Sequence, residues 1–218
     1  MEQSTISSAI IEWYKVNGRK TLPWRNTRDP YAILIAELML QKTHAVQQVL
    51  PVYKNFMDKF PNPSALSKAS IDEIRQVIRS LGLHNTRSKR LKELSGVLIN
   101  QFKGEVPRES VDLLNLPGVG GYVANAVECI AFDQAKEMVD ANVGRVLGRV
   151  FFGKEEYPPS HNRTGKIAKE LSQVSECKEL NLGIIDLGAM VCTPKKPKCN
   201  ICPLKQACLF YNNSLRVS

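Results

Sequence analysis

Apolar residues recur three or four positions apart along most of the chain, and stretches that alternate apolar with polar residues are scarce. The first spacing is typical of a helix with one face turned toward a core, and the second is typical of a half-buried strand. Between Arg87 and Ile99, for example, Leu91, Leu94 and Leu98 would form one such face. The pattern therefore predicts an all-α protein.

Proline and glycine interrupt the helical pattern at intervals and divide the chain into short helices. The clearest interruptions are Pro23, Pro30, Pro61 with Pro63, Gly82, Pro107 and residues 117–121. The sequence contains no internal repeat and no low-complexity tract. We expect residues 26–135 to form one helical unit and the cysteine-rich C-terminal region to close a second one.

Composition narrows the class of partner. The 218 residues are 43% hydrophobic and 23% charged, which is enough to build a core in one domain or two small ones. A formal net charge of +9 is typical of proteins that bind nucleic acid or an anionic membrane. Because no segment resembles a long basic amphipathic helix with aromatic anchors, nucleic acid is the favoured partner over a membrane. A basic protein without either partner remains an alternative.

Four cysteines near the C-terminus have the spacing C-x6-C-x2-C-x5-C; they are Cys192, Cys199, Cys202 and Cys208. Four thiolates on one short loop can coordinate zinc or an iron–sulfur cluster. A disulfide knot is the alternative, but we expect a cytoplasmic protein because the sequence shows neither a secretory signal nor a long uncharged apolar run. Metal ligation is therefore favoured. Cys129 and Cys177 lie apart and are predicted to be small buried hydrophobic residues.

A second motif is the string Leu116-Pro117-Gly118-Val119-Gly120-Gly121, which lies between two helix-like segments. Its glycines allow a tight turn and a close approach of the backbone to a surface. Free amides at the start of the following helix can then hold a phosphate. The string predicts a helix-hairpin-helix element with Gly118 and Gly120 at the DNA, although a purely structural turn would use similar residues.

Hairpin and cysteine loop together resemble the endonuclease III branch of the helix-hairpin-helix DNA glycosylases, from Pro23-Trp24-Arg25 to Cys208. The resemblance implies a two-domain fold with a six-helix domain at 26–135 and a cluster domain made of 1–25 and 136–218. It also implies a 4Fe-4S cluster on the four cysteines, with a structural role. Lys195 and Lys196 on the cysteine loop would contact phosphates of double-stranded DNA that carries a mismatch, bound by a monomer.

The resemblance assigns the catalytic aspartate to Asp140, in the string Val139-Asp140-Ala141-Asn142. A glycosylase flips the target base and breaks its bond to the sugar through a cation-like transition state, which a nearby carboxylate stabilises. Asp140 also resembles the N-cap of the next helix, where free amides would keep it ionised. A cap without chemistry is the alternative role.

Tyr122 occupies the position at which endonuclease III carries a lysine nucleophile. A phenol cannot form the Schiff base that leads to strand cleavage. The substitution therefore implies a monofunctional glycosylase that uses water and leaves an abasic site. A packing role, or a wall of the base pocket, is the alternative for Tyr122.

Glu37 interrupts the apolar run from Ala32 to Leu40, so a helix there would bury it. Burial would raise the pKa of this carboxyl group and retain a proton for the departing base, or for a hydrogen bond to it. The alternative is a buried glutamate paired with an arginine or a backbone amide.

Further DNA contacts are expected at two places. Gln41 and Leu83 match positions that fill the gap left by the flipped base in endonuclease III relatives, although Leu83 by itself would be taken for a core residue. His84, Asn85 and Arg87 would then form a rim that contacts the opposite base or its phosphates.

The base that would be removed depends on which of two groups of related enzymes the sequence resembles more. Several strings, among them Asn181-Leu182-Gly183, most resemble thymine-DNA mismatch glycosylases, which remove thymine or uracil opposite guanine. Adenine DNA glycosylases, which act opposite guanine or 8-oxoguanine, share Glu37, Gln41 and Thr43. They usually carry serine in place of Tyr122 and a further C-terminal domain, whereas this chain ends ten residues after Cys208. The pyrimidine specificity is favoured, and a mismatch-binding module without chemistry is a third possibility.

Overall fold

The computed structural model describes residues 3–42, 46–154, 158 and 160–214, and its regular secondary structure there is entirely helical. The prediction of an all-α protein is confirmed. The described residues form twelve α-helices: α1 Gln3–Asn17, α2 Pro30–Leu40, α3 Val46–Lys59, α4 Pro63–Lys68, α5 Ile71–Val77, α6 His84–Phe102, α7 Ser110–Leu114, α8 Gly121–Phe132, α9 Ala141–Phe152, α10 Asn162–Leu171, α11 Cys177–Met190 and α12 Leu209–Ser214. None of the helices in these ranges has the length and apolar character needed to cross a membrane.

The chain divides into two compact units, one of residues 20–132 and one of residues 1–19 together with 133–218. The first will be called the hairpin unit and the second the cysteine unit. The limits predicted from the sequence were 26 and 135, and whether those limits bound independently folding domains stays a prediction.

Helix α2 is the central element of the hairpin unit and packs against α3 and α8. Asp29 caps its start by accepting a hydrogen bond from the Tyr31 amide at 2.9 Å, and Pro30 occupies the first helical position. Nine of its eleven residues are buried, which explains why its sequence is apolar on nearly every side.

The hairpin unit contains seven described α-helices, α2 to α8, and the six-helix domain that the resemblance implies stays a prediction. A short break separates α4 from α5. There Ser70 and Glu73 form a capping box that starts a new helix directly after Ala69 ends the previous one. The Lys92 ammonium group, from α6, donates to the Ser67 and Ala69 carbonyl oxygens and so satisfies the end of α4.

The cysteine unit is built around α11, which packs against α1 and α9. Two glycines permit these contacts. A Cβ at Gly183 would lie 2.7 Å from the Ile10 side chain of α1, and one at Gly188 would lie 2.6 Å from the Asn142 Cβ of α9. Asp186, fully buried on α11, binds the Arg19 guanidinium group through Nε at 2.7 Å and Nη2 at 2.6 Å. Helix α11 therefore fixes the first turn of α9, where Asp140 lies.

Candidate functional site

The hairpin consists of two helices, α7 and α8, joined by a turn at residues 115–120. Gly118 has a φ of +84°, a conformation that L side chains rarely adopt. Gly120 is exposed, and a Cβ there would meet no other atom within 4 Å. Val119, which lies between them and is 9% exposed, anchors the turn in the core. The predicted hairpin is therefore present, and its glycine backbone is accessible at Gly120.

A recess beside the hairpin, which we call the hairpin pocket, brings three of the predicted DNA contacts together. Gln41, Leu83 and Gly118 all line it. The recess opens to solvent, and its empty volume, including the part that is open to solvent, is about 490 Å³. The Gln41 side-chain amide donates to the Gly118 carbonyl oxygen at 3.1 Å and so joins the end of α2 to the turn. The complete lining is Leu38, Gln41, Lys42, Leu83, Thr86, Arg87, Arg90, Leu91, Pro117 and Gly118. Thr43, the next residue shared with adenine DNA glycosylases, lies outside the described residues.

Leu83 is not a core residue, because 59% of its surface is exposed. Its φ of +61° places a bulky side chain in the left-handed region, which costs about 1–3 kcal/mol. It directly precedes α6, whose first two residues, His84 and Asn85, are half-buried and exposed. Neither of these two lines the hairpin pocket. Leu83 is the strained, exposed apolar residue at this edge.

Arg87 does not form the exposed rim that the sequence predicted, since it is only 8% exposed. Its Nη1 atom donates to the Leu38 carbonyl oxygen and, at 2.9 Å, to that of Met39, while Nη2 donates to the Gln41 carbonyl oxygen at 2.9 Å. Burial, and secondarily the nearby Arg90, lower the pKa of this guanidinium group. The side chain is turned into the protein because these carbonyls supply its acceptors.

Glu37 and Tyr122 both belong to the hairpin unit. Glu37 is 6% exposed on α2, so the predicted burial is confirmed. Tyr122 is the second residue of α8 and is half-buried. Their chemical roles stay predictions.

Asp140 lies in the cysteine unit and is the N-cap of α9, as the sequence predicted. Its Oδ1 atom accepts from the Val143 amide at 2.8 Å, and its Oδ2 atom accepts from the Asn142 side-chain amide at 2.9 Å. The Arg145 Nη2 atom donates to Asn142 Oδ1 at 2.8 Å, and Arg145 Nε donates to the Cys192 carbonyl oxygen at 2.8 Å. Hydrogen bonds therefore link the Asp140 carboxylate to the first residue of the cysteine loop.

The segment that leads into Asp140 is held by Asn181, which is 2% exposed on α11. Its side-chain oxygen accepts from the Met138 amide at 2.8 Å, and its side-chain amide donates to the Lys136 carbonyl oxygen at 2.9 Å. The sequence marked the string from Asn181 to Gly183 only by resemblance. The structure shows that Asn181 fixes the backbone two residues before Asp140.

The four cysteines of the C-terminal motif line one pocket, whose walls also include Val146, Leu187 and Phe210. None of them forms a disulfide, so the alternative of a disulfide knot receives no support. Among the described residues, no three His, Cys, Asp or Glu side chains are grouped as the ligands of one metal ion. Four soft sulfur donors around one recess would nevertheless suit an iron–sulfur cluster, which cysteine thiolates hold. Burial raises the pKa of Cys202 to about 11, so a thiolate there requires a positive partner.

Arg149, on α9, holds the start of the cysteine loop and is 1% exposed. It donates to the Thr193 carbonyl oxygen at 2.8 Å and to the Pro194 carbonyl oxygen at 2.7 Å, and its Nη1 atom lies 3.4 Å from the Cys192 sulfur. The guanidinium group also stacks 5.0 Å from the centre of the Phe210 ring. Sequence reasoning missed both Arg145 and Arg149, although Arg149 interrupts the apolar face of α9.

The cysteine loop presents Lys195 and Lys196 to solvent, as predicted, together with Lys198. The Thr193 hydroxyl group donates to the Lys196 carbonyl oxygen at 2.7 Å and closes the loop on itself. The two remaining cysteines, Cys129 and Cys177, are buried at 0% and 4% exposure, which confirms their predicted place in the core.

An all-helical chain with an accessible glycine hairpin and an exposed lysine loop belongs to the class of helix-hairpin-helix proteins. Residues 35–174 match the HhH-GPD superfamily of base excision DNA repair proteins, so the chain is a member of that superfamily.

Individual relatives narrow the comparison. The chain is 38% identical to a thymine/uracil-DNA glycosylase of Pyrobaculum aerophilum, with 100% of this chain and 96% of the relative covered. It is 41% identical to a thymine-DNA glycosylase of Aeropyrum pernix, with 94% and 93% covered. A solved structure described as a thermostable thymine-DNA glycosylase superposes with a TM-score of 0.89 at 38% identity, and 97% of each chain is covered. An adenine DNA glycosylase of Buchnera aphidicola is 33% identical over 94% of this chain, which spans only 59% of that relative.

Proposed function

We propose that this protein is a monofunctional DNA glycosylase that removes thymine or uracil paired with guanine and leaves an abasic site. The observation that carries the proposal is Tyr122 at the start of α8, directly after the hairpin. The phenol stands where a Schiff-base enzyme would need an amine, which favours hydrolysis over strand cleavage. Similarity to thymine- and thymine/uracil-DNA glycosylases over nearly the whole chain supports the choice of base.

Asp140 is proposed to stabilise the positive charge that develops on the sugar and to orient the attacking water. The Val143 amide and the Asn142 side chain donate to its two carboxylate oxygens, and these bonds fix the orientation of the carboxylate group. Glu37, buried on α2, is proposed to hydrogen-bond or protonate the departing base.

DNA binding is proposed to use both units of a monomer that works in the cytoplasm. Leu83 and Gln41 would fill the gap left by the flipped base, because Leu83 is exposed and Gln41 lines the same pocket. The backbone at Gly118 and Gly120 would approach a phosphate, and His84 and Asn85, which follow Leu83, would contact the opposite base or its phosphates. Lys195 and Lys196 would contact further phosphates, which supply affinity without sequence choice.

We propose that Cys192, Cys199, Cys202 and Cys208 hold a 4Fe-4S cluster. When bound, it would cross-link a loop whose own backbone hydrogen bonds are mostly those of short turns and two short 3-10 helices, Cys199–Ile201 and Lys205–Ala207. Arg149 binds the carbonyls of Thr193 and Pro194 from the protein side, so the loop would be fixed from two directions. The lysines of this loop would thereby be presented at a defined place.

Removal of adenine opposite guanine or 8-oxoguanine is the second candidate. It is favoured by Glu37 and Gln41, which adenine DNA glycosylases share, and by the 33% identity to one of them. A mismatch-binding protein without chemistry is the third and has no feature that favours it over an enzyme, given Asp140, Tyr122 and Glu37 in one chain.

The test is a single-turnover incubation of the purified protein with labelled duplexes that carry G·T, G·U, A·G or adenine opposite 8-oxoguanine. Each product is examined before and after treatment with alkali. Strand breaks at G·T and G·U that require alkali are the expected result. Breaks without alkali would refute the monofunctional assignment, and cutting at the adenine duplexes alone would establish the second candidate. Absence of cutting at all four would support the binding protein.

A further inference from the structure

The C-terminal end of α2 needs external hydrogen-bond donors. The last carbonyl groups of an α-helix have no partner within the helix. Helix α2 ends at Leu40, and Gln41 no longer has helical geometry. Lys42 has a φ of +54°. Just beyond the helix, the Gln41 amide donates to the Glu37 carbonyl oxygen at 3.2 Å. The Leu38 and Met39 carbonyl oxygens accept from the Arg87 side chain.

Arg87 binds three carbonyl groups with one guanidinium group, since it also donates to the Gln41 carbonyl oxygen. Its planar fork of donors can reach several acceptors at once, which a lysine ammonium group cannot do with the same geometry. A cation here also complements the negative end of the α2 dipole. The backbone of Gln41 is therefore held directly by the Arg87 side chain.

The same arginine is joined to Leu83. The Arg87 amide donates to the Leu83 carbonyl oxygen at 2.9 Å, which is the regular backbone bond of the first turn of α6. The Arg87 side chain therefore holds Leu83 through the backbone of α6 and not by direct contact. The Gln41 side chain in turn donates to Gly118 in the hairpin. Arg87 thus connects the start of α6 to the end of α2 and, through Gln41, to the turn that follows α7.

We propose that Arg87 is a positioning residue that holds Gln41 and Leu83 in the arrangement needed to fill the gap left by the flipped base. The inference rests on the proposed function, because the gap exists only if a base is flipped. Arg87 itself does not touch DNA on this proposal, since its donors are directed at buried carbonyls. It acts through the two residues that it joins.

Arg87→Lys is the test variant, because it keeps the charge and loses the fork of donors. We expect the single-turnover rate constant for uracil release from G·U to fall by about 10-fold or more, with duplex affinity changed by less than about 3-fold. A 2-aminopurine placed beside the mismatch should show a smaller fluorescence rise on binding, because the target base is flipped less often. Arg79→Lys, at an exposed position just after α5, is the matched control and should leave both readouts unchanged.

A double-mutant cycle separates positioning from a general structural role. In a Gln41→Ala, Leu83→Ala background, Arg87→Lys should reduce the rate constant by less than about 2-fold further, because the residues it positions are gone. Arg87→Gln, which removes the buried charge and keeps one donor group, is the second variant. Each protein is assayed below its own melting temperature, so that a loss of folding does not enter the rate constant.

Two failures can be told apart in this experiment. A wild-type protein that releases no base from G·T or G·U refutes the proposed function. If the wild-type protein is active, and Arg87→Lys lowers the rate constant by the same factor in the wild-type and the Gln41→Ala, Leu83→Ala backgrounds, only the positioning role is overturned. Unchanged rates and unchanged fluorescence in the Arg87 variants would overturn it as well.

Discussion

Replacement of Arg149 by leucine is expected to destabilise the cysteine unit by about 2–5 kcal/mol. Arg149 is almost fully buried, and its acceptors include the Thr193 and Pro194 carbonyl oxygens of the cysteine loop. Leucine fills part of the space and donates no hydrogen bond. The loop would lose its attachment to α9 while the apolar packing of that helix is largely kept.

The magnitude follows from three contributions. Two hydrogen bonds from a charged donor, at 2.8 and 2.7 Å, contribute about 1.5–3 kcal/mol each. Loss of the stacking on the Phe210 ring, at 5.0 Å, adds about 1 kcal/mol. Burial of the leucine side chain stabilises the variant by about 2 kcal/mol and offsets part of this loss. The remainder is a large part of the 5–15 kcal/mol by which proteins of this kind are usually stable.

The assay is thermal unfolding of the purified protein followed by circular dichroism, with iron content measured on the same samples. A loss of about 2–5 kcal/mol should lower the melting temperature by at least about 4 °C in a chain of this size. Arg163→Leu is the matched control, because Arg163 is exposed and only stacks on Phe152, at 4.4 Å. The control should shift by less than about 1 kcal/mol. An Arg149→Leu protein that melts within about 2 °C of the wild type would refute the reasoning.

Further predictions concern the catalytic residues, the hairpin and alkaline stability. Asp140→Asn keeps a side-chain cap for α9, so it should abolish base release while the melting temperature and duplex affinity are retained; parallel loss of release and binding would count against a catalytic role. Tyr122→Lys should yield a DNA adduct that borohydride traps, and absence of any adduct would count against Tyr122 lying at the sugar. Gly118→Ala should cost about 1–3 kcal/mol in urea unfolding because of its φ of +84°, whereas Gly120→Ala, with open space around it, should not; equal midpoints would contradict this. Burial, and secondarily Asp29, raise the pKa of Tyr53 to about 12, against about 10 in an unfolded chain. Its contribution to stability is therefore complete below pH 10 and falls by up to about 1.4 kcal/mol per pH unit between 10 and 12. Tyr53→Phe should make that decline shallower, and an unchanged slope would disprove the assignment.

The helical architecture was predictable because burial leaves a periodic record in the sequence. Residues 87–99 showed an apolar face, and α6 extends this segment to His84–Phe102. The apolar run of α2 likewise predicted a helix that is buried on nearly every side. The division between α4 and α5, by contrast, depends on a local competition that helical periodicity does not record. Ser70 and Glu73 form two reciprocal capping hydrogen bonds there, and these outweigh continuation of one helix.

The candidate site was predictable where its chemistry lies in side chains at fixed spacing. The cysteine motif, the glycine hairpin and the Asp140 cap are all of this kind. Arg87 and Arg149 were not predictable, because their acceptors are backbone carbonyls of segments more than forty residues away in the chain. Every residue carries such a carbonyl, so no residue type at the acceptor end marks the interaction.

The buried arginines also change how the net charge should be interpreted. A charge of +9 suggested nucleic acid, yet Arg87 and Arg149 contribute to that charge from positions that are 8% and 1% exposed. Only cations that reach a phosphate release counterions from DNA, so the total charge overstates the electrostatic part of binding. Exposed lysines such as Lys195 and Lys196 can reach a phosphate from the surface. Arginine suits buried positions that are rich in carbonyl groups, because the several donors of one guanidinium group satisfy several acceptors. Arg87 and Arg149 therefore fix the backbone from inside, whereas Lys195 and Lys196 remain at the surface.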